Sequence, residues 1–368
     1  MKTLFGFFLF IFSSLSSHAF EVMETHHNVR SNGMGGIYMS IVNDSNALFV
    51  NPAALGRTEG LNLEVLNLEV GINGLDVYND FKDINSSDSA SFSEFFGKDI
   101  WLRSGGKAAI TLPYFGIGAY TDIQTHLVLH NPAFPQFETT FLNYYGLVAG
   151  GAFPLGPISY GGLSFKRITR WGGQQNIDLG VIAAGDPAQI ADQFKNKGNG
   201  YGVDMAFMTM LPMPLSPSLS LVWQDVGSTA FTKSDGIDAP PRIHDNLSFG
   251  ASTLMDLPGL DWTTGFEYRH ITESQYHFGQ KLHMGTEISL PFIDLRAGLN
   301  QGNASYGLGL SFLFLHFDVA SYTEEIGAYP GQTSQKRIEL GLSLDLSFDA
   351  DFSITNSHGK KRKLKQRR

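Results

Sequence analysis

Residues able to do chemistry are sparse in this chain, and their spacing limits what they can do. The stretch Gly33-Met34-Gly35-Gly36 has the composition of a phosphate cradle. Such a cradle works where it joins a strand to a helix inside a βαβ unit, and no such unit surrounds it, so nucleotide binding is not expected. Eleven histidines are present, among them the pair His26-His27. No two share one element at metal-ligand spacing with a carboxylate partner, so neither a metal site nor a cofactor is expected. Ser289, His283 and Asp318 are the residue types of a nucleophile, a base and an orienting acid. No G-x-S-x-G elbow accompanies them, and the chain is not expected to be an enzyme.

Two other groups remain. Glu267, Arg269, Glu287, Arg296, Asp318, Glu339 and Asp345 fall on the polar faces of alternating segments. They read as charges lining a wet interior, either a selectivity ring or a brace, with Asp44 as a partner for Arg269 and Arg296. Phe92, Phe95 and Phe96 have the i, i+3, i+4 spacing of a helix, within a long stretch, 73–105, that also holds Trp101. These aromatics either pack on a rim or offer an apolar surface to a greasy ligand.

The elements that must position these groups are strands. Ile338, Leu340, Leu342, Leu344, Leu346 and Phe348 alternate with Glu339, Gly341, Ser343, Asp345 and Ser347. Side chains alternate across a strand, so one face is apolar and the other polar over eleven residues. The segments 244–255, 280–290, 304–312 and 314–323 repeat the pattern. Segments of about ten alternating residues bounded by turns are the signature of a membrane-spanning β-barrel. Short turns rich in Pro and Gly, such as Leu257-Pro258-Gly259 and Pro212 to Pro217, take turns with longer polar links at 73–105, 130–138, 170–200, 227–243, 272–279 and 324–335. The pattern predicts an all-β fold, a transmembrane antiparallel barrel of about fourteen strands, with one strand beginning near residue 106.

The ends set the compartment. Lys2, the apolar run Leu4 to Phe12 and Ser17-His18-Ala19 form a secretory signal peptide, 1–19, with cleavage expected after Ala19. No later run is long and apolar enough for a membrane helix. With no cysteine, neither a disulfide nor a lipoprotein anchor is available. Seven of the 26 basic residues lie in Lys360 to Arg368. Residues 20–359 hold 18 basic against 35 acidic residues. The layout is a barrel over 58–350 and a basic periplasmic tail over 351–368, either solvated or tethered to anionic lipid, peptidoglycan or an acidic partner. Export removes nucleic acid from the list of partners. Outer-membrane lipid, a hydrophobic small molecule and a periplasmic or secreted protein remain.

Residues 20–57 do not alternate. Asn51-Pro52-Ala53-Ala54-Leu55-Gly56 carries an N-cap, a proline suited to the first helical turn and a terminating glycine. Gly33-Met34-Gly35-Gly36, Asn43-Asp44-Ser45-Asn46-Ala47-Leu48 and Asn51-Pro52-Ala53-Ala54-Leu55 stand in the order found at the mature N-terminus of FadL/TodX-type transporters. The chain resembles that superfamily. Leu295 to Asn300 and Gly327 to Gln332 also look like its PorV-type branch. The resemblance implies a Gram-negative outer membrane, a fourteen-stranded barrel and an N-terminal hatch, 20–57, within the lumen. Gly35, Gly36, Asp44, Asn51, Pro52 and Ala53 would set the gate. It also implies passive uptake of small hydrophobic molecules such as long-chain fatty acids, or in the PorV-type case a scaffold for protein secretion or surface attachment.

Overall fold

The computed structural model describes residues 24, 26, 28–73, 99–130, 136–178 and 194–348. The expected signal peptide, 1–19, the aromatic triplet Phe92, Phe95 and Phe96, and the basic stretch 351–368 lie outside these residues. No described helix is long and apolar enough to cross a membrane.

The strands are β1 (Leu61–Ile72), β2 (Asp99–Leu112), β3 (Phe115–His130), β4 (Gln136–Pro154), β5 (Ser159–Asp178), β6 (Lys197–Met210), β7 (Ser218–Gln224), β8 (Phe231–Asp235), β9 (Asn246–Leu257), β10 (Leu260–Tyr268), β11 (Leu282–Ser289), β12 (Ile293–Asn300), β13 (Asn303–Phe312), β14 (Leu315–Glu325) and β15 (Ser334–Phe348). All neighbours are antiparallel, and β1 pairs with β15 through Ile72↔Ile338, Leu68↔Leu342 and Leu63↔Leu346. The pairing of β5 with β6 closes the sheet into a barrel. β7 lies against the lower half of β6 and β8 against its upper half. Those two segments are one interrupted stave, so the barrel has fourteen staves, as the alternation predicts.

Closure matters because it leaves every backbone N–H and C=O of the sheet a partner inside lipid, where water is absent. The apolar positions of the alternation point outward: Leu340, Leu342, Leu308, Leu310 and Phe317 are all exposed. A bulge in β1 between Glu64 and Asn67 sends two successive residues, Val65 and Leu66, outward while Glu64, Asn67 and Glu69 all face in.

Three expectations need correction. The second strand starts at Asp99 rather than near residue 106. Its outward positions Ser104, Gly106 and Ala108 are small, so the hydrophobic alternation that betrays a strand is faint there. Trp101 therefore belongs to a strand wall and not to an extracellular loop. The fifth strand runs to Asp178, and the link expected over 227–243 contains β8.

Candidate functional site

Residues 28–57 pack inside the barrel. Their local structure follows from their caps. Helix α1 (Val29–Gly33) begins at Asn28, whose side chain accepts from Ser31 N–H. Helix α2 (Ala47–Val50) is followed by a 3-10 turn, Pro52–Arg57, with Asn51 as its cap and Pro52 at its start. Asn51 is fully buried; its Oδ1 accepts from Ala53 N–H at 3.2 Å and its Nδ2 donates to the Met39 carbonyl at 2.7 Å. One side chain thus ties the 3-10 turn to the loop before α2.

The glycines explain how closely this segment meets the wall. Gly35 has φ +70° and sits between β11 and β12; a Cβ there would fall 2.3 Å from Met284 O and 2.7 Å from Leu299 N. The wall answers with glycines of its own. A Cβ on Gly285 would lie 2.0 Å from Met34 O, and one on Gly298 2.4 Å from Gly35 N. At the other end a Cβ on Gly162 would lie 2.1 Å from Ala53 N, so Pro52 and Ala53 rest backbone to backbone on β5. Gly36 lies beside the His283 ring, whose Nδ1 donates to the Gly35 carbonyl at 3.0 Å. The stretch that resembled a phosphate cradle is a backbone-to-backbone contact with the barrel.

Carboxylates from the wall supply the polar half of the docking. Glu287 holds Arg30 in a two-point pair, with Nε at 3.0 Å and Nη2 at 2.9 Å, and takes Arg296 Nε at 2.6 Å. Glu267 accepts the backbone N–H groups of Tyr38 and Met39 at 2.7 and 2.6 Å. Asn32 donates to Glu339 at 2.6 Å, and Ser45 to Glu64 at 2.6 Å. Charge-assisted bonds of this kind are stronger than neutral ones, and the low dielectric of the lumen strengthens them further.

The expected pairing of Asp44 with Arg269 and Arg296 is not formed. Asp44 meets Arg30, at 3.7 Å. Arg269 does reach the N-terminal segment, but through Glu24 at 2.6 Å. Arg296 pairs with wall acids, namely Glu287, Asp294 and Asp318. Burial, reinforced by the Glu24 charge, pushes the Tyr38 phenol well above its ordinary range, so it stays a neutral donor to the His26 carbonyl. Trp101 is buried with Arg337 stacked 4.1 Å from its ring centre. It braces β2 against β15 and is not placed as a ligand contact of an outer loop. His283 and Asp318 serve docking and ion pairing, and among the described residues no group of three or more His, Asp or Glu side chains is arranged to hold a metal ion.

The lumen has two unlike halves. From β10 round to β2 the inward residues are largely charged: Glu267, Glu287, Arg296, Glu339, Glu69 and Arg103. From β3 to β8 they are largely apolar and aromatic. There Leu48, Phe49, Val50 and Leu55 of the segment pack on Tyr120, Leu142, Tyr144, Tyr160, Ile168 and Met208. Within the apolar half a buried ionic cluster sits where the stave breaks between β7 and β8. Lys166 Nζ lies 2.7 Å from Asp204 and 2.9 Å from Asp225. Asp225 has φ +49° and also accepts from Thr229, so the cluster pins the turn that ends β7. Alternation in sequence did not reveal this break.

A cleft between the segment and β1–β3, lined by Tyr38, Phe49, Glu69, Arg103, Lys107 and Tyr120, holds about 20 Å³. That is room for roughly one water, whereas ligand pockets run to about 300–1,000 Å³. In this state the segment fills the space it occupies beside these strands.

Solved structures share this architecture over nearly their whole length. The CymD monoaromatic hydrocarbon channel aligns over 87% of this chain and 97% of its own, at 12% identity and TM-score 0.56. The Pseudomonas putida toluene transporter TodX aligns over 90% and 100%, at 12% identity and TM-score 0.52. The Ralstonia pickettii toluene transporter TbuX aligns over 88% and 98%, at 11% identity and TM-score 0.53. The fold is the one seen in CymD, TodX and TbuX. No family model and no curated protein matches the sequence.

Proposed function

We propose that this FadL/TodX-like barrel is an outer-membrane channel that passes small hydrophobic molecules without an energy source and without covalent chemistry. The observation that carries this reading is the apolar inner wall from β3 to β8. The interior of a water-filled barrel is polar. Here tyrosines, Ile168, Met208 and Val222 line half of the lumen and are covered by the chain's own apolar residues. Displacing residues 46–57 would uncover an apolar track beside the charged half. The polar docking of residues 30–39 leaves the opposite wall as an anchor, so a local shift opens one side only. The named substrates of CymD, TodX and TbuX are compact aromatic hydrocarbons, which favours a compact ligand over a long acyl chain.

The test is uptake of radiolabelled toluene and of a long-chain fatty acid into proteoliposomes, with mass spectrometry of what the purified protein retains. Saturable toluene entry, lost in Ile168→Glu, is expected. No entry of either probe, together with a secreted protein that co-purifies, would replace transport by the PorV-type scaffold reading.

A further inference from the structure

The short turns of this barrel carry the wrong residues for a watery surface. Apart from Gln301-Gly302 between β12 and β13, they lie at the end where β1 begins and β15 stops. Turns in water favour Gly, Asn, Asp, Ser and Pro. Here the turn before β12 is Leu290-Pro291-Phe292, the one before β14 is Leu313-Phe314, and the one before β7 contains Met213 and Leu215. Leu313 is 72% exposed, Phe292 67% and Met213 56%. Leu313 and Leu215 also hold φ of +54° and +70°, a left-handed conformation that Gly or Asn adopts with less strain. Bulky apolar residues occupy strained tips where small polar ones fit better, which points to contact with something apolar.

Strand length says what that is. β11 and β12 have eight residues each and β13 has ten. Ten residues at about 3.3 Å, tilted by about 40°, climb about 25 Å, the height of the apolar band of such a barrel. On this flank no length is left over to lift the turns clear of the bilayer. The lipid-facing belt also continues into them without a polar break, through Leu310, Phe312 and Leu313 on one side and Phe292 and Ile293 on the other. Two turns at this end depart from the pattern: Pro258-Gly259, bracketed by Asp256 and Asp261, and Pro113-Tyr114, whose ring packs against Tyr160.

We infer that the short-turn rim, through Met213, Leu215, Phe292, Leu313 and Phe314, is inserted in the phospholipid interface of the inner leaflet and does not stand in the aqueous periplasm. The inner mouth of the lumen then opens at headgroup level. This placement does not depend on what the barrel carries.

The chain has no cysteine, so single-cysteine variants place one probe each. Nitroxide labels at Met213→Cys, Phe292→Cys and Leu313→Cys are compared with Asp238→Cys and Tyr329→Cys in the long loops. The full-length protein is reconstituted in phosphatidylethanolamine/phosphatidylglycerol vesicles. Relaxation by oxygen, which partitions into lipid, is set against relaxation by a water-soluble nickel chelate. Several-fold greater relaxation by oxygen than by chelate is expected at 213, 292 and 313, with the reverse at 238 and 329. Chelate access at the turns equal to that at 238 and 329 would overturn the inference and leave the rim free for a soluble periplasmic protein. Protection from both reagents would overturn it in favour of contact between copies of the chain.

Discussion

Gly285→Ala adds one methyl group to the barrel wall and should loosen the N-terminal segment without loosening the barrel. The new Cβ would stand 2.0 Å from the Met34 carbonyl oxygen and 2.6 Å from its carbon, against 3.4 Å for ordinary contact. Both neighbours are backbone, so neither can swing aside as a side-chain tip can. The segment must retreat by about 1 Å or more, because the closed ladder of β10–β12 is the stiffer partner. Retreat also stretches the bonds of Arg30 to Glu287 and of Tyr38 and Met39 to Glu267. Overpacking of this kind costs about 1–3 kcal/mol. If that falls on the docked state alone, the undocked population rises by about 5- to 150-fold. Hydrogen exchange followed by mass spectrometry reads this directly. Peptides covering residues 29–42 should exchange faster by that factor, while peptides from β13 to β15 stay unchanged. Gly173→Ala is the control, because a Cβ there meets nothing within 4 Å. Unchanged exchange over 29–42, or equal acceleration across the barrel, would refute the argument that the glycine contact specifically holds the segment.

Asn51→Ala removes the cap of the 3-10 turn and orphans the Met39 carbonyl; a loss of about 1–2 kcal/mol in docking, seen as faster exchange over residues 47–57, is expected. Lys166→Met leaves Asp204 and Asp225 buried without their cation, and a destabilisation of about 3–5 kcal/mol should appear as a lowered melting temperature. Lys166→Met combined with Asp204→Asn should recover part of it. At His270, just beyond β10, burial disfavours the charged ring, but the hydrogen bonds it donates to Glu24 and Glu273, and their charges, outweigh it and raise its pKa above the ordinary 6.5. A raised folded-state pKa means that the imidazolium's contribution is complete below 6.5 and fades as pH rises through the folded value. Thermal melts should therefore weaken above pH 6.5 in the parent and lose that slope in His270→Gln, where Asn246, Arg269 and Tyr276 remain as neighbours.

Much of the barrel is legible in the chain because a strand's alternation is local. Ile338 to Phe348 shows its two faces within eleven residues, and that pattern alone separates a lipid face from a lumen face. For the same reason Glu267, Glu287, Arg296 and Asp318 can be assigned inward before any partner is known. The capped turn at Asn51-Pro52 is local as well. Where the local signal is weak the boundary slips, as at Ser104 to Ala108, whose small outward side chains hid the start of β2 and misplaced Trp101. The break between β7 and β8 was hidden because the Lys166 cluster that pins it joins β5 and β6 to the turn after β7.

Pairing lay beyond the sequence. Arg30 and Glu287 are 257 positions apart, and nothing local in either segment selects that carboxylate over Glu267 or Glu339. The match is decided by where the closed barrel puts Gly285, Gly298 and Gly162, since only at those positions can another backbone come close enough to fix the register of the N-terminal segment. Once its backbone is seated there, each cation meets whichever acid lies within reach. Sequence determined which residues face the lumen; tertiary structure determined which of them touch, because contact depends on closure of the barrel and not on period.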